Sequence, residues 1–405
     1  NVGETPLHRA AWKDNFRICK LIMEKLQEKN PGSAKGITPL HHADRKGHWH
    51  TCQLFMATLQ NKNPGCKMGL TPLVMAVSEG HLKVCQLLIE KGADVCSRNN
   101  YGNTPLLYAA VKGHFKIYQF IMKRVKDKNP SNKRGATPLH FAAKYGHFDV
   151  CRIILDMIDD KNPSDYKGST PMHEAAHRGH VNICQLIFEK IAESGLRRLR
   201  SSQPVKKVYG INPGNDDGLT PLHYAARLGH IEVCKFLCSN IKEKNPKDME
   251  GVTPLHLAAT FGHFEIIKFM LPFLSDKNPK SGRHWNRRTP LHAAAMEGHL
   301  HIVEYLLMNT NGDINPSLSD GWTVLHCAAE RGHFNVVSFY TRQLPYPNPG
   351  LHKNDQLDGR TPLHIAAENG HLVVVQHLCS LLDDKNPTDA NGYTPLHIAV
   401  SFGRI

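Results

Sequence analysis

Apolar residues fall in short clusters along this chain, and the gaps between clusters are regular. Between Thr137 and Gly168, Leu139, Ala142 and Ala143 form one cluster, and Val150, Ile153, Ile154 and Met157 form a second. Gly146-His147 stands between them, and the polar run from Lys161 to Gly168 follows. A threonine hydroxyl caps a helix, proline suits the first helical position, where its missing N–H is harmless, and glycine supplies the left-handed residue that ends a helix. Thr137-Pro138 and Gly146 therefore bound a predicted helix of about two turns. The second cluster has the spacing of an amphipathic helix, longer than the first and packed antiparallel to it. Pro163 disfavours helix at Asn162, and Asp165 and Gly168 carry turn chemistry, so an extended turn closes the unit.

The unit recurs from end to end. Its opening threonines are Thr5, Thr38, Thr71, Thr104, Thr137, Thr170, Thr220, Thr253, Thr289, Thr323, Thr361 and Thr394, and the first five steps are each 33 residues. A period of this length marks a solenoid, in which no unit buries its apolar face alone and stacking gives a continuous core. The phrase itself, Thr-Pro-Leu-His followed by paired alanines and Gly-His, resembles the ankyrin repeat over essentially the whole chain. That resemblance implies an all-α array of helix-turn-helix units, with projecting hairpin fingers and a concave surface that binds proteins. Residues 1–192 are then repeats one to six, 193–209 a basic insertion loop and 210–405 repeats seven to twelve, in one continuous solenoid. Ser401 to Ile405 stop where a second helix should begin, so the last repeat is truncated and the chain reads as a piece of a longer polypeptide.

Departures from the register fall in the second half. The step from Thr170 to Thr220 is 50 residues, and the added segment from Glu193 to Tyr209 carries five basic residues and one acid. Loops tolerate such insertions at small entropic cost, so a solvated loop looped out of the stack is expected. A regulatory reading rests on Arg197, Arg198, Arg200 and Ser201, because Arg198 stands three residues before a serine, as basophilic kinases prefer. Smaller expansions precede Thr289, at 281–288, and Thr361, near 345–350, and one extra residue precedes Thr323.

Composition narrows the chemistry. Six of the eleven cysteines (Cys19, Cys52, Cys85, Cys151, Cys184 and Cys234) share one helix-two position that holds Tyr118, Ile267, Val303, Val337 or Val375 in other repeats. A site that exchanges thiol for valine is apolar and buried, which argues against metal or disulfide and for a reducing, cytoplasmic setting. Twenty of the 27 histidines belong to the repeated phrases. The resemblance implies that those of Thr-Pro-Leu-His tie neighbouring loops together. With no phosphate-binding glycine loop and no nucleophile elbow, the segment reads as no enzyme, without catalytic residues, metal, cofactor or small-molecule substrate. No helix-turn-helix, zinc knuckle or RNA-binding motif supports nucleic acid as a partner.

Net charge is +14 and unevenly spread. At the partner-facing positions that the resemblance implies, repeats one to six hold eleven basic and two acidic residues, a net of +9. Repeats seven to twelve hold four basic and eight acidic, a net of −4. The N-terminal half is thereby expected to steer an acidic protein partner. The residues singled out are Lys133, Arg134, Lys144, Lys167 and Arg178, with the aromatics Tyr145, Tyr166, Trp285 and Trp322 as contact candidates. Asn162 lies eight residues before its threonine, where asparagines of similar arrays are hydroxylated, with Asn129, Asn245 and Asn386 equivalent. Three roles stay open: an interaction scaffold, the cytosolic domain of a larger membrane channel, and the substrate-recruiting arm of an enzyme whose catalytic domain lies elsewhere.

Overall fold

The computed structural model describes residues 3–201, 210–310, 314–318, 321–345 and 359–404. Among them are 23 α-helices and two short 3-10 helices, and the only bridge pairing is the isolated one between Ser317 and Thr323. None of these helices is long and apolar enough to cross a membrane. The chain divides into two compact units, Asn1–Ile211 and Asn212–Ile405.

In the first unit the fifth repeat shows how the sequence builds the pair. Its first helix is Pro138–Lys144 and its second Phe148–Met157. Thr137 is extended at φ −108°, ψ 165°, and Gly146 is left-handed at φ 79°. First helices pack on the next first helix and on their own second helix. Leu139, Ala142, Ala143, Val150, Cys151, Ile154 and Leu155 are buried in that core. The second-helix stripe is therefore shifted from the predicted one. The helical period puts 150, 151, 154 and 155 on one face, whereas Ile153 is half-buried and Met157 is exposed past its edge. Each buried aliphatic side chain contributes roughly 1.5–3 kcal/mol.

The phrase histidine replaces the glutamate of an ordinary capping box. His140 Nδ1 accepts the Thr137 N–H at 3.2 Å, and its Nε2 lies 3.0 Å from the Ser169 carbonyl of the next turn. An acceptor at Nδ1 fixes the neutral tautomer with its proton on Nε2, which donates to that carbonyl. Burial keeps such rings neutral, pulling His41, His256 and His326 down to about 4 and His292 to about 3. The histidine after each helix-ending glycine reaches backwards instead. His180 Nε2 meets the Lys144 carbonyl at 3.2 Å, and its ring covers Gly146, where a Cβ would lie 2.9 Å away.

The insertion differs from the predicted loop. Val181–Ser201 is one helix of 21 residues, so 193–201 continue the second helix of repeat six. The reason lies in the alignment of repeats. Where repeat five has Lys161-Asn162-Pro163, repeat six has Ser194-Gly195-Leu196, and nothing there stops the helix. Lys190 ties it to the preceding second helix through Asp156 at 2.9 Å and pairs within its own helix with Glu193 at 3.1 Å. Residues 202–209 of the expected loop lie outside the described residues, as do the side chains of Arg197, Arg198, Arg200 and Ser201.

Candidate interaction surface

The fingers between repeats are tight turns built on one buried or half-buried polar side chain. In repeat five the Asn132 N–H donates to the Ala136 carbonyl at 2.9 Å, while Asn132 Oδ1 accepts the N–H groups of Arg134 and Ala136. Asp165 does the same for Lys167 and Ser169 at 2.9 Å each. Adjacent fingers are joined by a single backbone bond, Lys133 N–H to Tyr101 O and Tyr166 N–H to Arg134 O, both 3.0 Å. Gly135 is left-handed at φ 79°, and a Cβ there would meet the Tyr166 nitrogen at 2.7 Å. These constraints leave the residues just before each glycine projecting outward.

Between the fingers and the first helices of repeats four to six lies a cleft of about 390 Å³, lined among others by Tyr101, Lys133, Arg134, Phe141, Lys144 and Glu174. Three of the predicted basic residues thus border one cavity, and Lys167 and Arg178 are exposed nearby along the same strip. Lys144 is half-buried and ion-paired with Glu174 at 3.2 Å. Among the described residues no carboxylate pairs with Lys133, Arg134, Lys167 or Arg178. Tyr145 and Tyr166 are exposed at 49% and 72%, too open for core residues of this array.

The second unit presents the strip differently. Arg360 is held by Glu368 at 2.8 Å and faces Asp389 at 3.8 Å. Trp322 is half-buried with its ring 6.0 Å from that of His326, so it packs on its own repeat. Trp285 is half-buried in the enlarged finger. Asp320 and Asp358 lie outside the described residues.

Comparison with protein families accounts for this architecture. The family profile "Ankyrin repeats (3 copies)" matches residues 7–99, 58–132, 118–198, 199–281, 271–339 and 341–405. The chain belongs to the ankyrin-repeat family. Ankyrin repeats are general protein–protein interaction modules and are typically non-catalytic. A search of curated proteins returns no significant match.

Two devices of this ankyrin array escaped the sequence reading. The Lys-Asn-Pro turn caps two helices at once. Lys128 Nζ donates to the Met122 and Val125 carbonyls at the end of one helix, at 2.6 and 2.5 Å, and Lys161 does the same for Leu155 and Ile158. Asn162 Oδ1 accepts the Met172 N–H at the start of the next first helix at 3.1 Å, as Asn129 does for Leu139 at 3.0 Å. Cations near carbonyl ends and oxygen acceptors near N–H ends each relieve unsatisfied helix termini. Recurrence of Lys-Asn-Pro at one register position was the available signal. Part of the +14 charge is therefore structural. Asn162 is itself 1% exposed. The histidine-rich stretch is likewise committed: His41 Nε2 meets the Leu70 carbonyl, His48 Nε2 the Trp12 carbonyl and His42 Nε2 Glu4. The shared cysteines are buried, which pushes their thiols up, Cys19 to about 11 and Cys184 to about 12, the behaviour of unreactive core residues.

Proposed function

We propose that this ankyrin array is an interaction scaffold, without catalytic activity of its own, that binds an acidic segment of a partner protein on the strip of repeats four to six. The supporting observation is a cleft lined by Lys133, Arg134 and Tyr101, with Lys167, Arg178, Tyr145 and Tyr166 exposed in the same two repeats and, among the described residues, no carboxylate paired with those four cations. Lys144 lines the cleft with its charge already committed to Glu174. Eleven cysteines, none of them in a disulfide and most of them buried, support a reducing cytoplasmic setting. Hydroxylation of Asn162 would require local opening, since its side chain is buried and its Oδ1 accepts the Met172 N–H. Phosphorylation of Ser201 beside Arg198 is kept as a regulatory proposal.

The test uses charge, because each exposed cation contributes about 1 kcal/mol or less and a single alanine shows little. Lys133, Arg134, Lys167 and Arg178 are reversed together to glutamate, with circular dichroism confirming the fold. Binding to a poly-glutamate peptide, measured at low and at about 0.15 M salt, is expected to fall at least tenfold and to lose its salt dependence. Equal binding by native and reversed chains sinks the proposal.

A further inference from the structure

We propose that the enlarged finger at residues 281–288 is a second docking surface, independent of the basic strip, and that it takes a mixed-charge peptide segment. The segment is acidic where it meets Arg283 and Arg287 and basic where it meets Glu250 and Asp217.

An ordinary finger of this array closes with three residues between its bonded ends, as Asn132 and Ala136 do. Here the Ser281 N–H donates to the Arg288 carbonyl at 2.9 Å across six residues. The extra length is ordered locally. Arg283–Trp285 forms a 3-10 turn, and the N–H groups of Trp285 and Arg287 both donate to the Gly282 carbonyl at 3.1 Å. Gly282 seats the finger on its neighbour: its N–H donates to the Glu250 carbonyl at 2.6 Å, and a Cβ on Gly282 would lie 2.4 Å from that oxygen.

The left-handed position held by Gly102, Gly135, Gly168, Gly218 and Gly251 elsewhere is taken here by Asn286 at φ 51° and Arg287 at φ 54°. Asparagine tolerates that region and arginine does not, so the backbone carries strain to present a guanidinium where glycine would serve the fold. Arg283, His284 and Arg287 are exposed, Trp285 is half-buried among them, and among the described residues no carboxylate pairs with Arg283 or Arg287. A tryptophan framed by arginines has the composition of an interface hot spot.

The neighbours select the partner. Asp217 and Glu250 project from the two preceding fingers and are likewise exposed, and the Met249 N–H donates to Asp217 O at 3.0 Å, keeping the row in register. A uniform polyanion laid along these fingers would meet two carboxylates, whereas a peptide of alternating charge meets complements throughout. Packed helices sit about 10 Å apart and an extended peptide advances about 3.3 Å per residue. The peptide's acids should therefore stand about three and six residues from its basic residues.

The probe is a displayed library of random peptides of about 12 residues, long enough to cross three repeats extended, selected on the full chain. Enriched peptides should carry acids and bases at those spacings and lose at least about tenfold in affinity against Arg283→Glu/Arg287→Glu. Replacing their acids by lysine should restore binding to that variant, a rescue that misfolding could not produce. Trp285→Ala should weaken the same peptides, and the strip reversal at Lys133, Arg134, Lys167 and Arg178 should leave them unchanged, so the two surfaces fail or stand separately. Enriched peptides without acids, or equal affinity for native and reversed chains, would overturn the proposal. So would a single-stranded oligonucleotide or a phosphatidylserine vesicle that binds through Arg283 and Arg287 in place of any peptide.

Discussion

The unit from Asn1 to Ile211 and the unit from Asn212 to Ile405 repeat one helix pair, yet they differ in what they bury and what they display. One small register is apolar throughout the second unit, where Ala226, Ala259, Ala295, Ala329 and Ala367 are buried and the last repeat has Val400. In the first unit that register holds Ala11, Ala110, Ala143 and Ala176, with Val77 in repeat three, but also Asp44, fully buried beside the Cys52 thiol. On the outside the order reverses. The first unit keeps four cations of its strip unpaired, while the second ties Arg360 down and presents Asp217, Glu250 and the arginine finger. The core of a repeat protein tolerates little variation because every neighbour must fit it, and its finger tips vary because only a partner reads them.

The largest test of this contrast is acid. Of the phrase histidines held below their ordinary range by burial, His41 and His140 lie in the first unit and His256, His292, His326 and His364 in the second. A depressed pKa means that the unfolded chain takes up protons first. Stability is therefore complete above about 6.5 and is lost as pH falls through 6.5 towards 4. At pH 5 each histidine held at about 4 costs about 2 kcal/mol. Hydrogen exchange at pH 7 and pH 5 should show the second unit loosening more than the first, and equal loss in both would contradict the burial argument.

Asp44 works in the opposite direction and in the first unit alone. Burial raises its carboxyl to about 8, so the folded state keeps a proton that the unfolded state releases near 4, and stability declines as pH rises between those values. The cost at neutral pH is about 4 kcal/mol. Asp44→Ala installs the residue that most other repeats use in this register and should raise the melting temperature, with a larger gain at pH 8 than at pH 5. A gain that does not change with pH would mean that titration is not its cause.

A smaller effect separates backbone strain from contact. Gly135 and Gly392 have nearly the same left-handed φ, 79° and 80°, but a Cβ meets the Tyr166 nitrogen at 2.7 Å in the first case and nothing within 4 Å in the second. Alanine at Gly392 should cost about 1–2 kcal/mol from strain alone, and alanine at Gly135 more. Chemical denaturation of the two variants measures the difference. The smallest effect is expected at Lys144. Losing its half-exposed pair with Glu174 should cost about 0.5 kcal/mol or less, whereas Lys161→Met, which uncaps a helix, should cost about 1 kcal/mol.

Helix pairs, their caps and their period were legible in the sequence because each rests on local chemistry: threonine before proline, glycine at the stop, aliphatics at helical spacing. The cysteine register was legible for the same reason. The helix through Ser201 is less legible, since its signal is a missing stop and the absence of Lys-Asn-Pro carries meaning only through the capping role of that turn. The site was legible as a set of charges but not as their pairing. Lys144 with Glu174 and Arg360 with Glu368 are contacts between residues eight to thirty positions apart, whose geometry depends on how turns stack.

By itself, then, the sequence determined that this chain is a stack of helix pairs whose histidines and glycines recur at fixed positions, because those choices are dictated within a few residues of backbone. Tertiary structure alone decided which cations remain free, which asparagine and lysine are absorbed into caps, and where a ring of the next repeat covers a glycine. Those outcomes depend on distances between residues far apart along the chain, ten positions for Asn162 on Met172 and about one repeat for His180 over Gly146, and no local propensity encodes them.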